Sequence, residues 1–227
     1  MGESELKTSA VILKTGSVRT INQEISEVPV GGGLLLISEA WLNIEEFEIE
    51  EISDVDDDME EQNDNDSENK DEDGIDDEDE ITIEGPFILD IIRGNALIDS
   101  INVYPGTFTK AELQFSKNFN EPFNAASIRI KGQFKSAQGN MIPFLLSSPI
   151  EDEIDLLLPR NEITVETKET ISMAILFDLS LLFTNIDFLS ARISEDQILI
   201  NSSNNSNLLE IFEKNLQLHD YPACIGR

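Results

Sequence analysis

Strict alternation constrains this chain more than any other feature. In "SIRIKGQFK", Ile128, Ile130 and Phe134 fall on one side and Arg129, Lys131, Gln133 and Lys135 on the other. The stretch "TKAELQF" repeats the pattern, with Ala111, Leu113 and Phe115 opposed to Lys110, Glu112 and Gln114. A period of two belongs to a strand with one wet face, because successive side chains point to opposite sides of the backbone. Further strand-like runs are "AVILK", "LLLISEAWLNIEEFEIEEI", "ITIEGPFILDII", "MIPFLL", "EIDLLL", "ITVET", "ISMAILFDLSLLF" and "QILIN". Turn residues separate them at Gly31-Gly32-Gly33, Pro105-Gly106, Gln138-Gly139-Asn140 and Pro159-Arg160-Asn161. Many short strands with no long helical pattern between them predict an all-β sandwich or barrel with antiparallel pairing. With 227 residues, of which 40% are hydrophobic, one domain over 1–227 has enough apolar side chains for a substantial core.

One helix is expected, over 207–218. Asn207 is placed to cap it, Glu210 follows three residues on as in a capping box, and Leu208, Leu209, Phe212 and Leu216 form an apolar stripe that predicts packing across an edge or open end of the sheet. The tail "LHDYPACIGR" that follows reads as frayed, with His219 an ordinary surface histidine.

Charge excludes several partners. The chain carries a formal −31, and the stretch from Asp54 to Glu80 holds 17 acids against one base, which leaves 29 acids and 14 bases elsewhere. Such a field repels phosphate backbones, so nucleic acid is not an expected partner. The longest apolar run, Ile171 to Phe183, is interrupted by Asp178 and is too short to cross a bilayer, so no transmembrane segment is expected. No basic region followed by an apolar stretch opens the chain, which leaves a cytoplasmic protein or one whose export signal or lipid anchor lies outside this sequence.

The acidic run 54–80 lies between two strong strand candidates and reads as an overgrown hairpin insertion, too charged and too poor in apolar residues to collapse on its own. Within it, "NKDEDGIDDEDE" sets Asn69, Asp71, Asp73, Gly74, Asp77 and Glu80 at positions 1, 3, 5, 6, 9 and 12 of a calcium loop. Asn69, Asp71, Asp73, Asp77 and Glu80 are therefore the candidate calcium ligands. Against them stands the ease with which any acid-rich tract produces such spacing, the apolar Ile75 one place early, and the lack of flanking amphipathic helices. A solvated loop that holds divalent ions only loosely is the competing reading.

No catalytic constellation emerges. His219 is the only histidine and Cys224 the only cysteine, and adjacent positions in a terminal tail do not make a triad. The acid pairs Asp90 with Asp99, and Asp152, Glu153 and Asp155, could serve glycoside chemistry only if a cleft brought them together. Gly31 to Gly33 lacks the Lys-Ser/Thr pair of a phosphate cradle and reads as a turn. Trp41 is expected in the core rather than on a sugar, and Tyr104 could stack on one.

The segment from about Ile81 to Phe183 resembles the bacterial domain of unknown function 4382 family of exported proteins and lipoproteins. The likeness lies in "PFILDIIRGNALIDSINVYPGTFTKAELQF", where Pro105, Gly106, Thr107 and Phe108 fill a Pro-Gly-Thr-Tyr-like motif, and in "GNMIPFLLSSP" followed by a closing strand through Leu176-Phe177-Asp178-Leu179. The resemblance implies an immunoglobulin-like or transthyretin-like sandwich in an envelope-anchored or secreted protein of no known enzymatic activity, and it lends no catalytic residues. A non-enzymatic adhesion-type module that contacts a protein or glycan at the cell surface is the expected function. A calcium-dependent structural module is the alternative, and a glycan-active hydrolase comes third.

Overall fold

The computed structural model describes residues 4–11, 19–21, 25–51, 80–92, 96–103, 105–167, 170–218 and 221–226. In chain order the strands are β1 (Ser4–Val11), β2 (Arg19–Ile21), β3 (Ile25–Val30), β4 (Gly33–Glu51), β5 (Glu80–Asp90), β6 (Ala96–Val103), β7 (Gly106–Phe115), β8 (Ile128–Ser136), β9 (Met141–Ser148), β10 (Glu153–Leu157), β11 (Ile163–Val165) and β12 (Thr170–Leu176). A one-turn helix α1 (Leu179–Leu182) follows, then β13 (Ile193–Ser194), β14 (Gln197–Ile200), helix α2 (Ser206–Leu218) and β15 (Tyr221–Gly226). The class is all-β, and the strands join in one large mixed sheet.

The 19-residue β4 organises that sheet, because it changes partners along its length. Its first half pairs with β3 on one edge and β8 on the other; its second half pairs with β5 and β7. Along the whole strand the inward positions Leu35, Ile37, Ala40, Leu42, Ile44, Phe47 and Ile49 are buried in a single apolar core. Gly31 and Gly32 make the turn into β4, where Val30 pairs with Gly33 and Gly32 takes φ +82°, a conformation that favours glycine.

Pairing is not purely antiparallel. β1 runs parallel to β12, β14 to β9, and β15 to β10. Each parallel pair needs a crossover connection between strands far apart in sequence, and local alternation carries no trace of one.

The C-terminal tail is part of this arrangement, against the expectation of fraying. β15 pairs antiparallel with β12 and parallel with β10, so it sits between two strands, with Tyr221 and Ala223 buried. Tyr221 donates its hydroxyl to the Leu216 carbonyl (2.9 Å), and burial raises its pKa above the ordinary phenol range. Pairing with β12 and β10, two buried side chains and the tyrosine hydrogen bond together fix the strand, a signal too short to stand out in the sequence.

The expected strand 171–183 ends early. β12 stops at Leu176, and Asp178 caps α1 by accepting hydrogen bonds from the Ser180 backbone (2.8 Å) and hydroxyl (2.6 Å). α2 begins at Ser206, so Asn207 lies inside its first turn. Asn205 precedes the helix, with its carbonyl accepting from Leu208 N and its side chain tied to Arg192 and Leu199. The apolar stripe is as expected: Leu208, Leu209, Phe212 and Leu216 are buried, and Phe212 meets Phe183 at 5.6 Å between ring centroids. Buried Asn215 donates to the Leu182 and Thr184 carbonyls, which ties α2 to the turn after α1. Trp41 is half-buried on the outward face, between core residues Ala40 and Leu42, and so is not the core residue expected.

Candidate functional site: a polar cleft at the break in β4

The site forms where β4 changes partners. Between Ile44 and Glu46 the register shifts on both edges. On the β7 side Ile44 faces Phe115 and Glu46 faces Gln114, so Glu45 is an extra residue without a counterpart. On the β5 side Gly85 and Pro86 oppose that single residue. A Cβ at Gly85 would lie 2.6 Å from the Ile44 carbonyl oxygen and 2.7 Å from that of Glu45, so only glycine permits this approach.

Beyond Phe115 the chain folds back over the outward face of β4. Asn43, only 1% exposed, holds it there: Nδ2 donates to the Ser116 carbonyl (2.9 Å) and to its Oγ (3.0 Å), and Oδ1 accepts from Asn118 Nδ2 (2.9 Å). The Asn43 backbone N–H also donates to the Ser127 carbonyl at 2.8 Å. A polar side chain buried on a sheet face is tolerable because both ends of its amide are satisfied. Asn118 Oδ1 in turn accepts from Asn120 N (3.0 Å), Phe123 is buried, and Arg129 reaches the Glu121 carboxylate and the Pro122 carbonyl. The segment is thus anchored at both ends, and Phe119 between the anchors stands 78% exposed.

The result is a cleft of about 540 Å³ lined by Asn43, Glu45, Glu46, Glu84, Gly85, Pro86, Ser116, Lys117, Asn118, Phe119 and Asn120. Its size is that of a small-molecule site. Three carboxylates supply acceptors, Lys117 and Asn120 supply donors, and Phe119 supplies an aromatic face. Lys117 is also paired with Glu151.

The cleft opens at one end of an acidic sheet face. Strand register sets Glu84, Glu46, Gln114 and Glu153 in one row, Thr82, Glu48, Glu112 and Asp155 in the next, and Glu80, Glu50 and Lys110 in a third. Lys110 bridges Glu50 and Glu112, each at 2.8 Å. Desolvation raises the pKa of Glu48 to about 7, with the charges of Glu80 and Glu46 adding to it. Glu112 is also raised, by desolvation first and with a contribution from Asp155, against the opposing pull of Lys110.

Those sequence candidates that fall among the described residues lie away from the cleft. Of the expected calcium ligands, Asn69, Asp71, Asp73 and Asp77 lie outside the described residues; Glu80 opens β5 and accepts from Thr82 Oγ1 at 3.1 Å. Among the described residues no group of three or more His, Cys, Asp or Glu side chains is arranged to hold a metal. β4 and β5 pair antiparallel out to Glu50 and Glu80, so residues 52–79 connect the two arms of a hairpin. Asp90 accepts from Ile92 N and Asp152 from Gln217 Nε2, and neither they nor Glu153 and Asp155 line the cleft. The side chain of Asp99, together with Tyr104 and His219, lies outside the described residues. A second cavity of about 530 Å³ is lined by Leu157, Leu158, Pro159, Arg160, Asn161, Pro222, Ala223 and Cys224.

Asn43, Phe119 and the three glutamates of the cleft do not stand out in the sequence. One signal was present: Ile44-Glu45-Glu46-Phe47 puts two polar residues between two core residues, which a period-two strand accommodates only with a bulge. No helix among the described residues is long and apolar enough to cross a membrane. Comparison with protein-family models, with curated proteins and with solved structures finds no match for this chain.

Proposed function

We propose that the protein is a non-enzymatic binding module of the cell envelope or extracellular space that holds part of its partner in the cleft beside the β4 bulge. The observation that carries this reading is Phe119, which is 78% exposed while the segment bearing it is fastened through Asn43, Asn118 and Phe123. A large apolar ring carried into water by an anchored segment at the rim of a polar cleft is suited to a contact surface, since anchoring of the segment reduces the entropy lost on binding. Binding is favoured over catalysis because Ser116, the one hydroxyl in the lining, accepts at Oγ from the Asn43 amide and has no base hydrogen-bonded to it among the described residues. The envelope or extracellular setting rests on the resemblance in 81–183.

The test is a nuclear magnetic resonance screen of the full chain against a library of small sugars, amines, amino acids and carboxylic acids. Backbone shifts that cluster at 43–46, 84–86 and 116–120 for at least one chemical class are expected. Hits that gather at the Cys224 cavity, or none that reach the cleft, would sink the proposal.

A further inference from the structure

We infer that the cleft takes a neutral saccharide, a mono- or disaccharide unit of a larger glycan, with one sugar face against Phe119. This rests on the binding reading above and names the chemistry of the ligand. Three features of the lining select it.

The first is the mixture of hydrogen-bonding groups. Glu45, Glu46 and Glu84 only accept when ionised, whereas the Lys117 ammonium only donates and the Asn120 amide offers donors and an acceptor. A sugar hydroxyl both donates and accepts, so a ring carrying several of them can satisfy both kinds of group at once. A simple cation would use the carboxylates but has nothing with which to accept from Asn120 or from Lys117, whose ammonium keeps N–H groups beyond its pairing with Glu151. An anion would face the three carboxylates and the acidic rows that continue from Glu46 and Glu84 across the sheet. Uronic and sialic acids are excluded on the same ground.

The second is Phe119. The apolar C–H face of a pyranose needs a flat apolar partner, and a ring 78% exposed beside polar groups can supply one at little further cost in ordering. The third is preorganisation. Asn43 lines the cleft but spends both amide N–H groups on Ser116 and its Oδ1 on Asn118, so its role is to fix the segment that presents Phe119 and Asn120. It is a positioning residue.

The experiment titrates the isotopically labelled full chain with a panel of neutral mono- and disaccharides at millimolar concentrations, with spermidine and glucuronic acid as the charged probes. At least one neutral saccharide is expected to give saturable shifts confined to 43–46, 84–86 and 116–120. Phe119→Ala is expected to weaken that saccharide by about tenfold while the melting temperature is unchanged, because the ring is outside the core. Asn43→Ala can disturb the fold, so Asn120→Ala serves as the second variant and is expected to lose affinity by a smaller factor. The saccharide assignment falls if no neutral sugar binds at the cleft, if spermidine saturates it instead, or if Phe119→Ala binds as well as the parent. Should amines or acids bind there while sugars do not, the ligand class is wrong and the binding module survives. Should no class reach the cleft, both are wrong.

Discussion

The two halves of β4 share a backbone, an alternation and a core, and they differ in what they show to water. From Gly33 to Leu42 the strand lies beside β8, whose outward residues are Arg129, Lys131, Gln133 and Lys135, and Glu39 meets Lys131 at 3.0 Å. From Ile44 to Glu51 it lies between β5 and β7, where carboxylates face carboxylates across the strands and Lys110 is the one cation in the three rows. Like charges directly opposite on a sheet are unfavourable. The inward face is equally buried in both halves, so apolar burial determines that the strand forms and the outward face is free to carry charge for another purpose. The cleft sits at the junction, where the bulge at Glu45 interrupts both ladders.

If the core is common to both halves, removing a large side chain from either should cost a similar, large amount. Leu35→Ala in the first half and Phe47→Ala in the second, both at positions with no exposed surface, are each expected to destabilise the fold by about 2–5 kcal/mol through lost burial and the cavity left behind. Chemical denaturation of the two variants checks this. A loss below about 1 kcal/mol at either position would show that the halves do not share one core.

The charged faces should separate the halves by pH. Glu48 has a folded pKa raised to about 7, above its ordinary value of 4.5, so the fold favours its protonated form. The unfolded chain loses that proton first as pH rises. Between about 4.5 and 7 the folded state therefore binds more protons, stability falls with rising pH, and the loss is complete above the folded value. Glu48→Gln is expected to raise the melting temperature at pH 8 by about 2–4 °C and to leave it unchanged at pH 4. Glu39→Gln, in the half matched by β8, should give no such rise. A melting temperature of Glu48→Gln that tracks the parent at both pH values would mean the acidic rows are relaxed by solvent.

The same division explains what was legible in the sequence. The alternation through 110–115 and 128–135 named the inward residues correctly, because a strand with one buried face writes its burial directly in a period of two. The α2 stripe was readable for the equivalent reason at a helical period. Partner choice was not readable: the parallel pairs of β1, β14 and β15 depend on crossovers, and a short strand such as β15 is secured by Tyr221, Ala223 and its two neighbours rather than by any pattern of its own. The cleft was hidden because its parts lie in three separate stretches, around Asn43, Gly85 and Phe119, and only pairing of β4 with β5 and β7 brings them together.

The smallest effect distinguishes the two halves most finely. Lys131 and Glu39 form an exposed pair, with side chains 51% and 44% accessible, so solvent screens their attraction and a double-mutant cycle should give a coupling of about 0.2–1 kcal/mol. Lys110 instead stands between two carboxylates, Glu50 and Glu112, in three rows where every other charged group is negative. Lys110→Ala removes an attraction and also exposes the rows to their own repulsion, so its cost should exceed that of Lys131→Ala and shrink as salt is added, whereas Lys131→Ala should respond weakly to salt. Denaturation midpoints of both variants in low and high salt measure the contrast. Equal costs with equal salt dependence would mean that the acidic face is balanced by counterions already, and that the difference between the halves of β4 is one of composition without consequence for stability.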